Sequence, residues 1–441
     1  MLRTVFVFIA LAIGWGFAFQ SPLYAASLYL WIAYFRPESW AWDSIFKTLN
    51  LSYIAGVFLV LRTMASPTPF RLDLRRALLF AFLGQALIST AFSSTASISF
   101  GYWQDFAKTI IVSYLLTVIV RTAADLRLLL TVIALSLGFE AAKQGWVNLV
   151  TSPGGMNSND IPFLGDNNLV AVGMAMLIPL VAALGQTASS TWRKRAYQFM
   201  NVGVLYRALS TYSRGGFLAV SGVGLVFFWR SKYKLRTALA GLIALAIILP
   251  AMPPEFWTRM STITADRTER DESQEGRLHF WNVALLMAND HPLVGVGHNA
   301  YERHYNQYDT SGGLFLTKRA VHSAWFGVLA ELGYPGLVLF LSIIFLSFRA
   351  CRRVRGMAAR GEIPGPLGPY ASGLEASLVA FVIGGSFVSF HYSEMLWHFF
   401  ALTIALESVA VAEAAANRVG VKAAQPPAVV ATKPIPDFVW A

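Results

Sequence analysis

Tyr212-Ser213-Arg214-Gly215-Gly216, followed at once by the apolar run Phe217–Trp229, decides how this chain is read. The run has the composition of a membrane helix, and a guanidinium stands at its mouth. A charge in that position is costly, and it is kept where something is gained from it. Arg214 is therefore read as a ligand for a phosphate-bearing lipid at one face of a membrane. Which face, and what is done there, must come from the rest of the chain.

Hydrophobic residues make up 56% of the 441 residues and charged residues only 13%, whereas a soluble domain is about a quarter charged. An integral membrane protein is expected. The net charge of +11 would suggest a nucleic-acid partner in a soluble protein. Here the basic residues lie mostly in short loops between apolar runs, where topology explains them and no nucleic acid is needed. The single cysteine, Cys351, sits in a basic loop and offers no disulfide framework. Met1–Gly14 has the outline of a signal peptide. A second apolar run, Leu23–Tyr34, follows without a good Ala-x-Ala site, so an uncleaved first hairpin is expected.

The fold expected is all-α and polytopic, with candidate spans at 4–18, 22–36, 50–64, 76–95, 104–121, 126–147, 168–186, 197–212, 214–230, 235–251, 322–348, 371–390 and 393–411. Several fall short of the ~20 residues a perpendicular helix needs. The first two form a short hairpin or one broken span, which gives about twelve crossings. The basic segments Arg349–Arg360, Arg230–Arg236, Arg193–Arg195, Arg71–Arg76 and Arg121–Arg127 all fall on one side if the spans alternate from 50–64 onward. That side is the cytoplasm. Four parts follow: a transmembrane bundle at 1–251, a large extracytoplasmic helical loop at 252–321, transmembrane helices at 322–412 and a disordered cytoplasmic tail at 413–441. The loop is long and carries apolar periodicity, which marks a functional segment rather than a linker.

The residues able to do chemistry gather on the outer side of this scheme. Asp266–Glu275 is dense in both signs of charge and reads as a solvated helix face with i,i+4 ion pairs; a metal site there is the sharper alternative, without a recognisable ligand spacing. Gly276-Arg277 opens an amphipathic helix that stops at Asn289-Asp290-His291-Pro292. A helix N-terminus with an arginine can hold an anion; a structural ion pair is the competing reading. Gly295-Val296-Gly297, before His298, reads as a close-packed turn. His322 lies at the outer mouth of a span after Arg319 and can take a proton from a hydroxyl near neutral pH, which arginine cannot; an incidental loop histidine is the plain alternative. Glu331 is about two and a half turns deeper. Arg207 precedes Arg214 by about two turns, and Asp166-Asn167-Asn168 supplies polar groups at the same level. The cytoplasmic side shows no Walker loop, zinc spacing or Gly-x-Ser-x-Gly elbow. Energy for a reaction outside would have to arrive in the substrate, as it does in a lipid-linked sugar diphosphate.

In that order, Tyr212-Ser213-Arg214-Gly215-Gly216, Gly276-Arg277 with Trp281, His291-Pro292-Leu293, Gly295-x-Gly297, His322-Ser323-Ala324-Trp325, Glu331-x-Gly333 and Gly336-Leu337 resemble the motifs of bacterial O-antigen ligases and polymerase-like proteins. The set covers roughly residues 160–345; each motif is weak alone, and the order is fairly specific. The N-terminal part, through Tyr34-Phe35-Arg36-Pro37, resembles the branch of O-glycosylation ligases associated with exosortase systems.

The resemblance implies a C-type glycosyltransferase in the bacterial inner membrane, working at the periplasmic face without metal or other cofactor. Its donor would be an undecaprenyl-diphosphate-linked glycan and its acceptor a lipid A core or a protein hydroxyl. Carried over, Arg214 and Arg277 hold the diphosphate and His322 is the base. Arg319 and Arg207 join the candidate diphosphate-binding set, although the family assigns no role to Arg207. Ser213, Tyr212, Asp166, Asn167, Asn168, His298 and Glu331 are candidate acceptor or supporting residues. Attack from the face opposite the diphosphate would invert the anomeric centre. The rival readings are a polymerase, whose acceptor is another lipid-linked repeat unit, and a flippase or transporter of anionic lipids. The lack of an internal repeat and the gathering of charge at one face favour an enzyme over a transporter.

Overall fold

The computed structural model describes residues 2–41, 45–248, 257, 272–315 and 319–423. These form helices joined by short turns; no strand occurs among the described residues, where an isolated bridge pairs Ile161 with Gly165. In chain order the principal helices are α1 (Leu2–Ala18), α2 (Pro22–Phe35), α3 (Leu51–Met64), α4 (Leu74–Phe92), α5 (Ala96–Ile119), α6 (Ala123–Thr151), α7 (Asn167–Gln186), α8 (Thr191–Leu209), α9 (Arg214–Arg230), α10 (Lys234–Ile248), α11 (Glu272–Asp290), α12 (Tyr301–Tyr308), α13 (Ala324–Ala359), α14 (Leu367–Gly384) and α15 (Glu394–Ala423). Each expected span falls on one of them. Among the described residues, 5 helices are long and apolar enough to cross a membrane: α4, α7, α13, α14 and the first part of α15. The helices α1, α2 and α3 are apolar but shorter.

Side-chain caps set many of the starts. Ser21, Asp73, Asp166, Ser190 and Ser213 each accept from a backbone N–H of the following turn. Thr122 and Asp125 cap each other's backbone in a reciprocal box at the start of α6. The first two apolar runs are two helices of a hairpin. Arg62 closes its turn, donating from Nε to Phe19 O at 3.1 Å and from Nη2 to Gln20 O at 2.9 Å.

The bundle is built around α7, which is buried along most of its length between α8, α9 and α14. Pro179 lies inside it and cannot donate to the preceding turn. Gly373 brings α14 close, since a Cβ there would lie 3.0 Å from Pro179 O, and Ser377 Oγ donates to Met176 O at 2.6 Å.

The break in α13 matters most for the site. Gly333 stands at φ 68, ψ −174 inside this 36-residue helix, and Pro335 follows. Such backbone is essentially confined to glycine. A break inside a bilayer is tolerated only when the freed polar groups find partners. Here they do. Val296 N donates to Ala330 O at 2.9 Å and Gly297 N to Glu331 O at 3.2 Å. Gln85 Nε2 reaches Leu332 O at 2.9 Å, and Ser89 Oγ donates to Glu331 O at 2.5 Å. Tyr334 N in turn donates to Pro292 O at 2.9 Å. The Pro292–Gly297 turn is thus the plug of the broken helix. Its glycines have left-handed φ, 68 at Gly295 and 121 at Gly297, and a Cβ at 295 would overlap the backbone of Glu331.

The basic segments meet at one end of the bundle. Glu375 takes Arg230 at 2.9 Å and Arg355 at 2.7 Å; Glu407 takes Arg75 at 2.9 Å and Arg353 at 3.1 Å. Arg121 donates to Pro67 O at 3.2 Å, and Arg127 lines one hollow with Gln186, Thr187 and Gly365. The opposite end carries α11 and α12. Their small core of Phe280, Val283, Met287, Tyr301 and Tyr305 closes on Val321 and Ala330. Residues 266–271 of the charged run, with the metal reading attached to it, lie outside the described residues. So do residues 424–441 of the expected tail. The tail's first part is helical, because α15 continues past residue 412 to Ala423.

Candidate functional site

Two helix starts are tied together at the end opposite the basic loops. Asp166 caps α7, its Oδ1 accepting from Asn168 N at 2.7 Å and Leu169 N at 3.1 Å. Ser213 caps α9, its Oγ accepting from Gly216 N at 3.2 Å and donating to Asn168 Oδ1 at 2.8 Å. Arg214 is the first residue of α9 and is half-buried. The Gly-Gly after it has a packing reason: a Cβ at 216 would overlap the Ala171 Cβ of α7, and one at 215 would lie 2.9 Å from the Phe387 Cβ. Close approach of α9 to α7 therefore places Arg214 beside the Asp166–Asn168 cap. Tyr212, at φ 56, donates its hydroxyl to Gly154 O and holds the preceding loop. The Asn167 Oδ1 is buried with no hydrogen-bond partner among the described residues.

His322 arrives from the segment that enters α13. It stands at φ 48, a conformation that bulky side chains rarely adopt and that clusters at functional positions. The turn is held in place where Ala324 N donates to Gly385 O at 2.7 Å. The imidazole is half-buried, its ring centroid 6.2 Å from that of Phe280. Burial lowers its pKa below the ordinary histidine value, and the charges of Arg277 and Arg319 lower it further, while Asp166 opposes them. Four predicted residues, from α11, the 319–322 segment and the α7 cap, thus share one electrostatic neighbourhood. Arg277 lies in the second turn of α11, half-buried, and Arg319 donates from Nε to Phe315 O. A neutral imidazole beside guanidinium groups can accept a proton while the cations hold an anion.

The other predicted residues have different surroundings. Arg207 is fully buried in the last turn of α8. Its Nε donates to Gln144 Oε1 at 2.8 Å, its Nη1 to Asn157 O at 3.4 Å and its Nη2 to Asn159 O. This clamp on the 157–159 backbone accounts for a charge in an otherwise apolar span. Glu331 turns away from His322. Its carboxylate accepts from Asn299 N at 3.2 Å and Tyr301 N at 3.1 Å, and its Oε2 lies 3.5 Å from His391 Nε2. His298 is buried against Tyr392, with ring centroids 4.1 Å apart, and burial pushes its pKa down to about 4.

Sequence reasoning missed a second polar group. Arg36, Glu302, His391 and Glu394 line a cavity of about 310 Å³ together with Glu331. A signal was available. The loop topology puts residues 36, 302, 391 and 394 at the same end as His322, and ionisable groups beside membrane spans are functional candidates by default.

Residues 199–341 match the family model described as O-antigen ligase. Residues 1–185 match a family of unknown function (DUF5935), which assigns no activity to the N-terminal part. No curated protein matches the chain. The chain thus carries an O-antigen ligase-like domain, and Arg214, Arg277, Arg319 and His322 all lie within it, whereas the Asp166 cap comes from the N-terminal match.

Proposed function

We propose that this chain, built around its O-antigen ligase-like domain, moves a glycan from undecaprenyl diphosphate to an acceptor hydroxyl at the periplasmic face of the bacterial inner membrane. Arg214 and Arg277, with Arg319 nearby, hold the diphosphate. His322 is the base. The convergence of Arg277, Arg319 and Asp166 on the His322 imidazole carries this reading. The gathering of the basic loops at the far end supports the orientation.

The acceptor oxygen attacks the anomeric carbon, and a new C–O bond forms as the bond to the diphosphate oxygen breaks. The leaving diphosphate takes the electron pair, and the acceptor proton passes to His322. Arginines aimed at the charge that develops on the leaving group lower the barrier; one such donor is worth about 3 kcal/mol. General-base help adds about a hundred-fold or more. Attack from the face opposite the diphosphate inverts the centre.

The test is a purified reaction. Wild type and His322→Ala are given a defined lipid-linked oligosaccharide and candidate acceptors, and products are read by mass. His322→Ala should lose turnover and keep donor binding, while Arg214→Ala and Arg277→Ala weaken binding as well. Normal turnover in His322→Ala would sink the base assignment. Product with the donor's anomeric configuration would sink inversion.

A further inference from the structure

The cavity of about 310 Å³ beside this site has its own chemistry. Its wall includes Leu169, Ala320 and Val321, which are neighbours in the chain of the Asp166 cap and of His322. The cavity therefore borders the segments that carry the cationic site. Three carboxylates line it, Glu302, Glu331 and Glu394, against the single guanidinium of Arg36 and the imidazole of His391. Carboxylates thus outnumber guanidinium groups three to one in this lining, which makes it a poor site for a diphosphate and a good one for hydroxyl groups.

Several groups in the lining are unsatisfied. His391 is only 4% exposed. Its Nε2 faces Glu331, and its Nδ1 has no hydrogen-bond partner among the described residues. The Glu394 Oε2 and the Arg36 Nε are likewise buried without partners among the described residues. Buried polar atoms are rarely left so. Among the described residues no three His, Cys, Asp or Glu side chains are placed to hold a metal ion. Arg36 itself stands in a left-handed conformation, φ 52, between α2 and the helical turn Pro37–Trp40. Aromatic rings of Phe163, Tyr301 and Tyr392 complete the lining. Carboxylates that accept from hydroxyls, a donor set of Arg and His, aromatic faces and a volume at the lower end of the ~300–1,000 Å³ ligand range fit one class of molecule.

We infer that this cavity binds an uncharged pyranose, its hydroxyls donating to Glu302 and Glu394 and its ring lying against the aromatic wall. The inference rests on the glycan-transfer reading above and adds a sugar subsite to it. The sugar is either the acceptor's terminal unit or a unit of the donor glycan. Both have the same chemistry, and kinetics separate them.

The test measures binding without turnover. Wild-type protein in detergent is titrated with the methyl α-glycosides of glucose, galactose and mannose, and with methyl glucuronide, by saturation-transfer NMR. Saturable binding of at least one neutral glycoside and a weaker response to the glucuronide are expected. Ser389→Trp, an exposed position on the cavity wall, fills the space and should abolish the signal. Glu302→Gln, also exposed, should weaken it about tenfold by removing a hydrogen bond to a charged group. His322→Ala and Arg214→Ala should keep it. A wild-type protein that binds no neutral glycoside, or that prefers the glucuronide, overturns the inference. So does Ser389→Trp with undiminished binding. In the transfer assay, a higher KM for the acceptor in Glu302→Gln assigns the sugar to the acceptor, and a higher KM for the donor assigns it to the donor. Unchanged values for both overturn the inference while leaving the transfer reading intact. Sugar binding without any transfer product sinks that reading and not this one.

Discussion

Gly216→Ala is a small perturbation with a large expected effect. The new Cβ would overlap the Ala171 Cβ of α7, while Ala171 Cα and Ser213 Cβ stand at 3.4 Å, ordinary contact. Two carbons need ~3.5–4.0 Å, so α9 must move away from α7 by about 1 Å. The motion acts on the first turn of α9. It stretches the Ser213–Asn168 hydrogen bond of 2.8 Å and carries Arg214 away from the Asp166 end. A displacement of about 1 Å in a positioning element can cost ~100-fold in rate, and overpacking costs about 1–3 kcal/mol in stability. The assay is the initial rate of glycan transfer from a synthetic lipid-linked oligosaccharide, with a monodisperse elution peak as the check on folding. The clash has one principal partner, so it can be removed from the other side. In Gly216→Ala with Ala171→Gly the methyl group changes helix and the clearance returns. A glycine inside α7 costs about 1 kcal/mol, but the rate should recover to within a few-fold of wild type. A single variant that works at the wild-type rate refutes the reasoning. So does a double variant as slow as the single one, because Arg214 would then be positioned by something other than this contact.

Three further outcomes are expected. His322 has a lowered pKa and must be neutral to act, so activity should persist below the ordinary histidine pKa of ~6.5 and fall only as pH drops through the lowered value. Arg277→Gln removes a lowering charge and should move that acidic limb to higher pH, while Asp166→Asn keeps a good cap, removes a raising charge and should move it to lower pH; limbs moving the same way would contradict the assignment. Arg207→Met leaves Gln144 Oε1 and the Asn157 and Asn159 carbonyls without their donor, at about 1–3 kcal/mol for each group left unpaired in a buried site. The melting temperature should drop clearly, and an unchanged value with lost donor binding would return Arg207 to the diphosphate. Gly333→Ala places a Cβ 2.6 Å from Pro292 O at φ 68; strained backbone of this kind costs about 1–3 kcal/mol before the clash is counted. The yield of folded protein should fall, and wild-type yield and stability would show that the plug can yield.

The legible parts of this chain are those written in local pattern. Apolar runs between Lys and Arg clusters gave helices in the expected places, because burial of an apolar stripe needs no knowledge of the partner. The Gly-Gly after Arg214 was legible as a motif but not as a cause, since the cause is Ala171, far away in sequence and nearest in space. Arg207 is an odd charge in the sequence with no visible place, because two of its three partners are backbone carbonyls, which look alike in every sequence, and the third, Gln144, is far away in the chain. Glu331 lies nine residues beyond His322 on what reads as one continuous helix. Its true direction depends on the break at Gly333 and the Asn299–Tyr301 turn that its carboxylate caps.

That break also explains why opposite charges can sit so near each other. An unbroken helix would have to satisfy its carbonyls within itself, and the 292–301 turn would have nothing to dock on. With the break, Ala330 and Glu331 offer their carbonyls outward, and the turn brings Asn299 and Tyr301 onto the Glu331 carboxylate. The carboxylate lines the cavity together with Val321, while Arg277 and Arg319 act on the next residue, His322. A diphosphate is drawn to the cations and repelled by the acids; a neutral sugar has no such preference and is free to fill the acidic cavity. On the proposed reading, the donor's charge fixes which way the donor lies, and the hydroxyl to be activated approaches His322 from the cavity side. Balancing the carboxylates of the cavity with Glu302→Lys should therefore slow transfer by letting the diphosphate bind in the wrong place, with donor affinity kept or raised. Transfer that stays fast with a lysine there would show that the charge division does not orient the donor.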